Sequence, residues 1–220
     1  MIGNRELFPF FFIKLLIVML IYPSLSYGSY RSYFNMRESV FSDITPFPKW
    51  TGMIERYSAQ LEMPDSKCGT VIYYPCTVKD WKKLIDNLQG ESLHTKLKKV
   101  NDWANKYPYV IDQINWGIND YWETLYEFID ISGDCEDYAI TKYYSLRALG
   151  VPASRMRIMI VQDLNLGGII HAVLGVYDDD NKLNVLDNQI KQVVSALKIY
   201  HYRPIYGINE NNWWTYQPNM

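Results

Sequence analysis

Apolar and aromatic positions recur with a helical period through residues 133–149. Tyr138, Ala139, Tyr143, Leu146 and Leu149 make one stripe, with polar Glu136, Lys142, Ser145 and Arg147 between them. Gly150 and Pro152 end this helix. The period then shortens to two. Residues 156–162 read as a strand, 163–168 as a turn, 169–177 as the hairpin partner, 178–182 as a second turn and 183–188 as a third strand. Upstream, residues 54–61 and 78–88 both have helical spacing and read as an N-terminal helical layer. A further helix covers 98–105 and stops at Tyr107-Pro108, residues 109–116 read as an extended connection, and Thr124 leads into the short apolar run 125–129. The class predicted is α+β, with helices packed on a small antiparallel sheet.

Residues 1–28 do not belong to that pattern. Arg5 and Lys14 precede an apolar run over 15–22, Pro23 follows, and Ser26 and Gly28 are small residues spaced for cleavage after Gly28, so the segment reads as an export signal. Retention as an anchor that includes Phe10, Phe11 and Phe12 is the alternative, although the apolar core is short for a membrane span. With the signal removed, no stable membrane span is expected. The remaining chain divides into 29–92, a helical region with a cysteine-bearing loop, and 93–220, the core.

Composition narrows the function class. The 220 residues suffice for one well-packed domain, and 19 Tyr with 7 Trp argue against disorder. Trp50, Trp81 and Trp103 read as core or edge residues rather than ligand contacts. A formal charge of −2 offers nucleic acid no electrostatic footing.

Export also changes how the cysteines read, because an oxidising compartment pairs thiols that have a partner. Cys68 and Cys76 flank a short Gly- and Pro-bearing loop suited to a small disulfide; zinc is the rival use, but no ligand spacing supports it. Cys135 is then the odd thiol, set in the first turn of the helix, where unpaired N–H groups and the helix dipole favour a thiolate. Any catalytic imidazole must come from His94, His171 or His201. His94 reads as a surface histidine. His171, early in the second strand, and Asp187, late in the third, fall at the same end of an antiparallel pair, where a preceding helix can present Cys135. These are the roles of nucleophile, base and orienting carboxylate. Each also has a plainer reading, His171 as a satisfied core residue and Asp187-Asn188 as a turn signal.

Acids crowd the cysteine. Asp134, Glu136 and Asp137 raise a neighbouring thiol's pKa unless a positive charge offsets them, and a hard cation such as Ca²⁺ would do so. The alternative is that they only complement the helix N-terminus. Asp112, Asn115, Asn119 and Asp120 supply further oxygens upstream, either to a cation site assembled from two segments or to a solvated loop. The spacing is not that of an EF-hand.

Several motifs together resemble a known family. Gly133-Asp-Cys-Glu-Asp-Tyr-Ala-Ile140, Lys142-Tyr143, Leu146-Arg147, His171-Ala-Val-Leu174 and Val185-Leu-Asp-Asn188 are similar to the bacterial transglutaminase-like cysteine proteinases. So are the upstream Val100-Asn-Asp-Trp103, Asp120-Tyr-Trp122 and Glu127-Phe128. The likeness spans about residues 97–206, and departs at Leu125, where relatives usually carry Pro, and in a shorter approach to the Gly-Asp-Cys turn. It implies a papain-like, transglutaminase-like core with a catalytic triad of Cys135, His171 and Asp187. It also implies Ca²⁺ dependence through Asp134, Glu136 and Asp137, with Asp112 as an upstream ligand. In such proteins a periplasmic protease cuts a large surface adhesin near its N-terminus at a dialanine site and releases biofilm cells. A membrane-bound cyclic-di-GMP receptor of the LapD type sequesters that protease. The expectation is therefore an exported, calcium-dependent cysteine endopeptidase. Its rivals are a transglutaminase or amidase on the same fold and a non-catalytic calcium-dependent binding module.

Overall fold

The computed structural model describes Phe34 and residues 36–63 and 78–218. The expected export signal and the Cys68–Cys76 loop lie outside the described residues. The elements run β1 (Met36–Phe41), α1 (Pro48–Leu61), α2 (Lys79–Leu88), α3 (Leu93–Ala104), α4 (Asp112–Asn115), α5 (Leu125–Ile131), α6 (Cys135–Ala148), β2 (Met156–Asp163), β3 (Ile169–Tyr177), β4 (Leu183–Leu186), β5 (Val194–Ser195), β6 (Tyr202–Ile208) and β7 (Trp213–Pro218). All seven strands join one antiparallel sheet in the order β1-β7-β6-β2-β3-β4-β5.

The expected hairpins are present, with Met156 opposite Val176 and Leu174 opposite Leu186. The sheet is larger than the three strands expected. The strand β6 carries Pro204 and Gly207, which mask a strand pattern, and the pairing of β2 with β6 slips a register between Ile160 and Val161, beside Pro204. A proline without an N–H is tolerated at such an irregularity.

Alternation along β2 sends Ile158 and Ile160 into one cluster with Leu174, Val176 and the helices. Met159 and Val161 go into a second cluster with Val173, Tyr202 and Trp214 on the opposite face. A strand buried on both faces reads as a nearly continuous apolar run.

The helix α6 packs on β3 and β2 on one side and on α3 and α5 on the other. It was expected to show an apolar stripe and a polar face; instead Thr141, Lys142 and Ser145 are as fully buried as Tyr143. Ser145 satisfies its hydroxyl by donating to the Thr141 carbonyl, and accepts from Trp81 Nε1 at 2.9 Å. Lys142 has no such partner for Nζ among the described residues. Burial, partly opposed by the charge of Asp187, lowers its pKa to about 7.

The helices of the N-terminal third belong to this core. Trp50 on α1 is wholly buried, meets the rings of Trp122, Tyr143 and Tyr144, and donates from Nε1 to the Asn209 carbonyl at 3.0 Å. Trp81 is buried and Trp103 partly so, as expected of core and edge residues. Arg56 reaches from α1 to the Trp122 carbonyl at 2.5 Å and to Glu127 at 3.4 Å, tying the N-terminal layer to the loop that precedes α5. Among the described residues no helix is long and apolar enough to cross a membrane.

Trp50→Ala removes the largest fully buried side chain and leaves the Asn209 carbonyl without its donor. It is expected to cost about 3–5 kcal/mol in a denaturant titration, far more than Trp103→Ala at the edge.

Candidate active site

Residues 109–121, expected to begin as an extended connection, divide in two. Tyr109 is extended and bridges Gly133 in parallel, with Val110 N–H donating to the Gly133 carbonyl at 3.0 Å. Residues 112–115 instead turn into the short helix α4, because the Asp112 carboxylate accepts from Tyr121 N–H at 2.5 Å and Gly117 adopts a positive φ of 69° that reverses the chain. The loop is thereby folded back onto the start of α6.

Two devices then hold the cysteine turn. Thr124 caps α5 in a reciprocal box with Glu127, fixing the approach. At the other end of α5, Ser132 takes φ 63° and ψ 171°, a region that favours glycine, while Asn115 Nδ2 donates to its carbonyl at 2.7 Å. Gly133 follows, and a Cβ there would overlap the Asp137 carboxylate. That carboxylate accepts from Asp134 N–H at 2.9 Å and from Glu123 N–H at 2.8 Å, closing the first turn of α6 against the upstream loop.

Cys135 is the first residue of α6, half-buried, and is a free thiol. It lines a cleft of about 330 Å³ together with His171, Ala172, Glu136, Tyr109, Trp122 and Tyr206. His171 and Asp187 are both buried, and His171 Nε2 lies 3.0 Å from Asp187 Oδ1. The antiparallel pairing of β3 with β4 sets that contact: β4 ends at Leu186, opposite Leu174, so Asp187 leaves the strand level with Val173, two residues along β3 from His171. With Nε2 engaged by Asp187, Nδ1 is the nitrogen left for the cleft. His94 is exposed on α3, as expected.

Asp187 is held on every side. Its Oδ1 also accepts from Gln189 N–H at 2.9 Å, its Oδ2 from Tyr202 Oη–H at 2.5 Å, and its main-chain carbonyl from Asn105 Nδ2 at 2.7 Å. Burial works against its charge, but the hydrogen bonds from His171, Tyr202 and Gln189 outweigh it and keep its pKa below the usual carboxylate value. Tyr202 and Asn105 did not stand out in the sequence. Each comes from an element distant in the chain, and no local spacing marks them.

The acids beside the thiol separate into two groups. Asp112, Asp134 and Asp137 bring one carboxylate oxygen each to a common point, whereas Glu136 groups with Asp134 and Cys135. Glu136 Oε2 accepts from the Cys135 thiol at 3.2 Å. Of the other upstream oxygens expected, Asn115 is spent on Ser132 and Glu123, Asp120 pairs with Lys49 and Trp122 Nε1, and Asn119 is exposed. Glu123, wholly buried, adds a further carboxylate that the sequence did not single out.

Asp112 Oδ1, Asp134 Oδ1 and Glu123 Oε2 are buried with no hydrogen-bond donor among the described residues. An all-oxygen set with orphaned acceptors fits a hard divalent cation. Burial first, and then mutual repulsion, pushes Asp112 to about 6, Glu123 to about 8 and Glu136 to about 9, and Asp137 well above its ordinary value. The thiol is pushed up as well. The helix dipole was expected to favour thiolate, but burial, then Glu136 and Asp134, dominate when no cation offsets the acids.

The arrangement brings a thiol at a helix N-terminus and an imidazole to one cleft, with a buried carboxylate bonded to that imidazole, which is the equipment of nucleophilic acyl transfer. Comparisons with known proteins point to the same broad chemistry, that of a cysteine proteinase. The model of the bacterial transglutaminase-like cysteine proteinase family matches residues 73–218. The solved structure of calcium-bound LapG from Legionella pneumophila is similar at 31% identity, with a TM-score of 0.58, covering 74% of this chain and 87% of that one. An EGTA-treated form of the same protein gives the same identity and TM-score over 84% of its chain. No curated protein sequence matches. The mixed helix and antiparallel-sheet fold is accordingly that of a transglutaminase-like cysteine protease.

Acids whose folded pKa is raised bind more protons folded than unfolded, so they cost stability progressively once pH exceeds their unfolded value. In the presence of a chelator the chain is expected to melt at lower temperature as pH rises from about 4.5, the ordinary value of Glu123 and Glu136, to about 9. Thermal melts across that range check the sign.

Proposed function

The chain belongs to the bacterial transglutaminase-like cysteine proteinases, and from this premise we propose that it is a calcium-dependent endopeptidase exported to the periplasm. Its substrate in this reading is a large surface adhesin, cut at a dialanine site near the N-terminus so that biofilm cells are released. A membrane-bound cyclic-di-GMP receptor of the LapD type is the partner that withholds it. The likeness to LapG supports these assignments, as does a signal-like segment over residues 1–28. The observation that carries the peptidase reading is the His171–Asp187 bond at 3.0 Å, beside the cleft that holds Cys135 at the start of α6.

In this mechanism Asp187 fixes the Nε2–H tautomer of His171 and leaves Nδ1 as the base. The imidazole takes the Cys135 proton and the thiolate adds to a peptide carbonyl. The oxyanion rests against the Cys135 backbone N–H, which, in the first turn of α6, has no intrahelical acceptor. The imidazolium then protonates the departing amine, and water, deprotonated by the same nitrogen, hydrolyses the thioester. Asp112, Asp134 and Asp137 are the residues that would hold calcium, which when bound supplies the positive charge this acid-crowded turn lacks.

A peptide carrying an internal Ala-Ala, followed by mass spectrometry, tests the reading. Cys135→Ala is expected to reduce cleavage on the order of 10⁴-fold or more while leaving the melting temperature nearly unchanged. Full cleavage by that variant would overturn the assignment, and incorporation of a labelled amine without chain cleavage would favour a transglutaminase instead.

Calcium is expected to raise the melting temperature and EGTA to reverse it, since the ion binds only the folded cluster. Asp112→Asn should weaken that shift at pH 7. In the unmodified chain the shift should shrink as pH falls through about 6, where Asp112 takes up its proton.

A further inference from the structure

The carboxylate of Asp187 has two oxygens and only one can face His171. The other, Oδ2, accepts from the phenol of Tyr202 at 2.5 Å, the shortest of the four hydrogen bonds made to this residue. Tyr202 opens β6, pairs with Asp163 across β2, and is itself buried, so its hydroxyl is held by the sheet rather than by a loop. Its ring centroid stands 5.7 Å from that of His171, tilted by 55°, so the same side chain that bonds the acid also walls the imidazole.

Among the described residues no other group donates to Oδ2. Without the phenol, Oδ2 of a buried anion would lose its hydrogen-bond donor, and the carboxylate would be held through Oδ1 alone, by His171 and by Gln189 N–H. Burial and the adjacent carboxylate keep the phenol protonated far above neutral pH, so it remains a donor under all working conditions.

We infer that Tyr202 is a positioning residue of the peptidase, holding Asp187 so that Oδ1 alone meets His171 Nε2 and the Nε2–H tautomer is enforced. The inference rests on the peptidase reading for its effect on turnover, but the hydrogen-bond role stands on geometry alone. Tyr202 is not among the residues that line the cleft. It acts through Asp187 and then through His171.

The experiment measures the tautomer and the kinetics separately. In protein labelled with ¹⁵N-histidine, the His171 signals are assigned by their loss in His171→Gln. The intact chain should show His171 protonated at Nε2, and Tyr202→Phe should show the Nδ1–H form gaining population. On an Ala-Ala peptide the same variant should lose roughly ten- to a hundredfold in kcat, the worth of a hydrogen bond to a charged group, with KM nearly unchanged. 4-Aminophenylalanine at position 202, which keeps a donor, should restore the Nε2–H form. A Tyr202→Phe protein with the original tautomer and original kcat overturns the inference.

Should Tyr202→Phe fail to fold, 3-fluorotyrosine at position 202 serves instead, being a stronger donor of nearly the same shape. The His171 Nε2–H resonance should then move, and an unmoved resonance overturns the inference. A chain that cuts no peptide with Tyr202 intact counts against the peptidase reading, and the tautomer measurement still decides what Tyr202 does.

Discussion

The first turn of α6 has to be buried and negatively charged at once, and the surrounding structure answers that conflict. Burial around the cysteine lowers the local dielectric, so that donors and charges there act strongly. Yet Asp137 is wholly buried and Glu136 nearly so. A carboxylate in that position is tolerable only if backbone N–H groups, or a cation, take its charge. The backbone supplies part of the answer: Asp137 accepts from Asp134 and Glu123. The orphaned oxygens of Asp112, Asp134 and Glu123 are the part it does not supply.

This conflict explains local features that would otherwise look arbitrary. Gly133 is glycine because the Asp137 carboxylate occupies the space of its Cβ. Ser132 holds a backbone conformation that suits glycine because the chain must leave α5 and enter α6 within a few residues, and Asn115 pins its carbonyl there. Strain of this kind costs on the order of 1–3 kcal/mol and persists where the surroundings over-determine it. Here the Thr124–Glu127 box on one side and the Asp137 cap on the other do so.

Much of this was legible in the sequence, and the limit has a physical basis. The helix around Cys135 and the hairpin carrying His171 declare themselves by period, and antiparallel pairing alone places His171 and Asp187 at one end of the sheet. Side chains such as Trp50 read correctly as core because large aromatics bury the most area. The strand β6 shows no legible alternation because Pro204 and Gly207 interrupt it, and the short helix α4 shows no period because it has only four residues. Lys142 and Ser145 read as a polar face, whereas α6 is covered on all sides by elements that only the tertiary fold brings there. Tyr202 and Asn105 were invisible for the same reason: hydrogen bonding to Asp187 from 15 and 82 residues away leaves no local trace.

A thiol, an imidazole and a carboxylate contributed by three elements can act together only if none of them drifts. Each is anchored differently. Cys135 is fixed by the helix that starts with it, which is buried all round from Glu136 to Leu146. His171 is fixed by a strand paired along β2 on one side and along β4 on the other. Asp187, just past the end of β4, has no ladder of its own, and a residue so placed would be the loosest of the three. It is also the one with the densest side-chain and main-chain hydrogen bonding, drawn from the residue that caps the end of α3, from β3, from β6 and from its own turn. The bonding is heaviest where the secondary structure gives least support, as expected of a site in which a small misplacement of the acid would release the tautomer of the base.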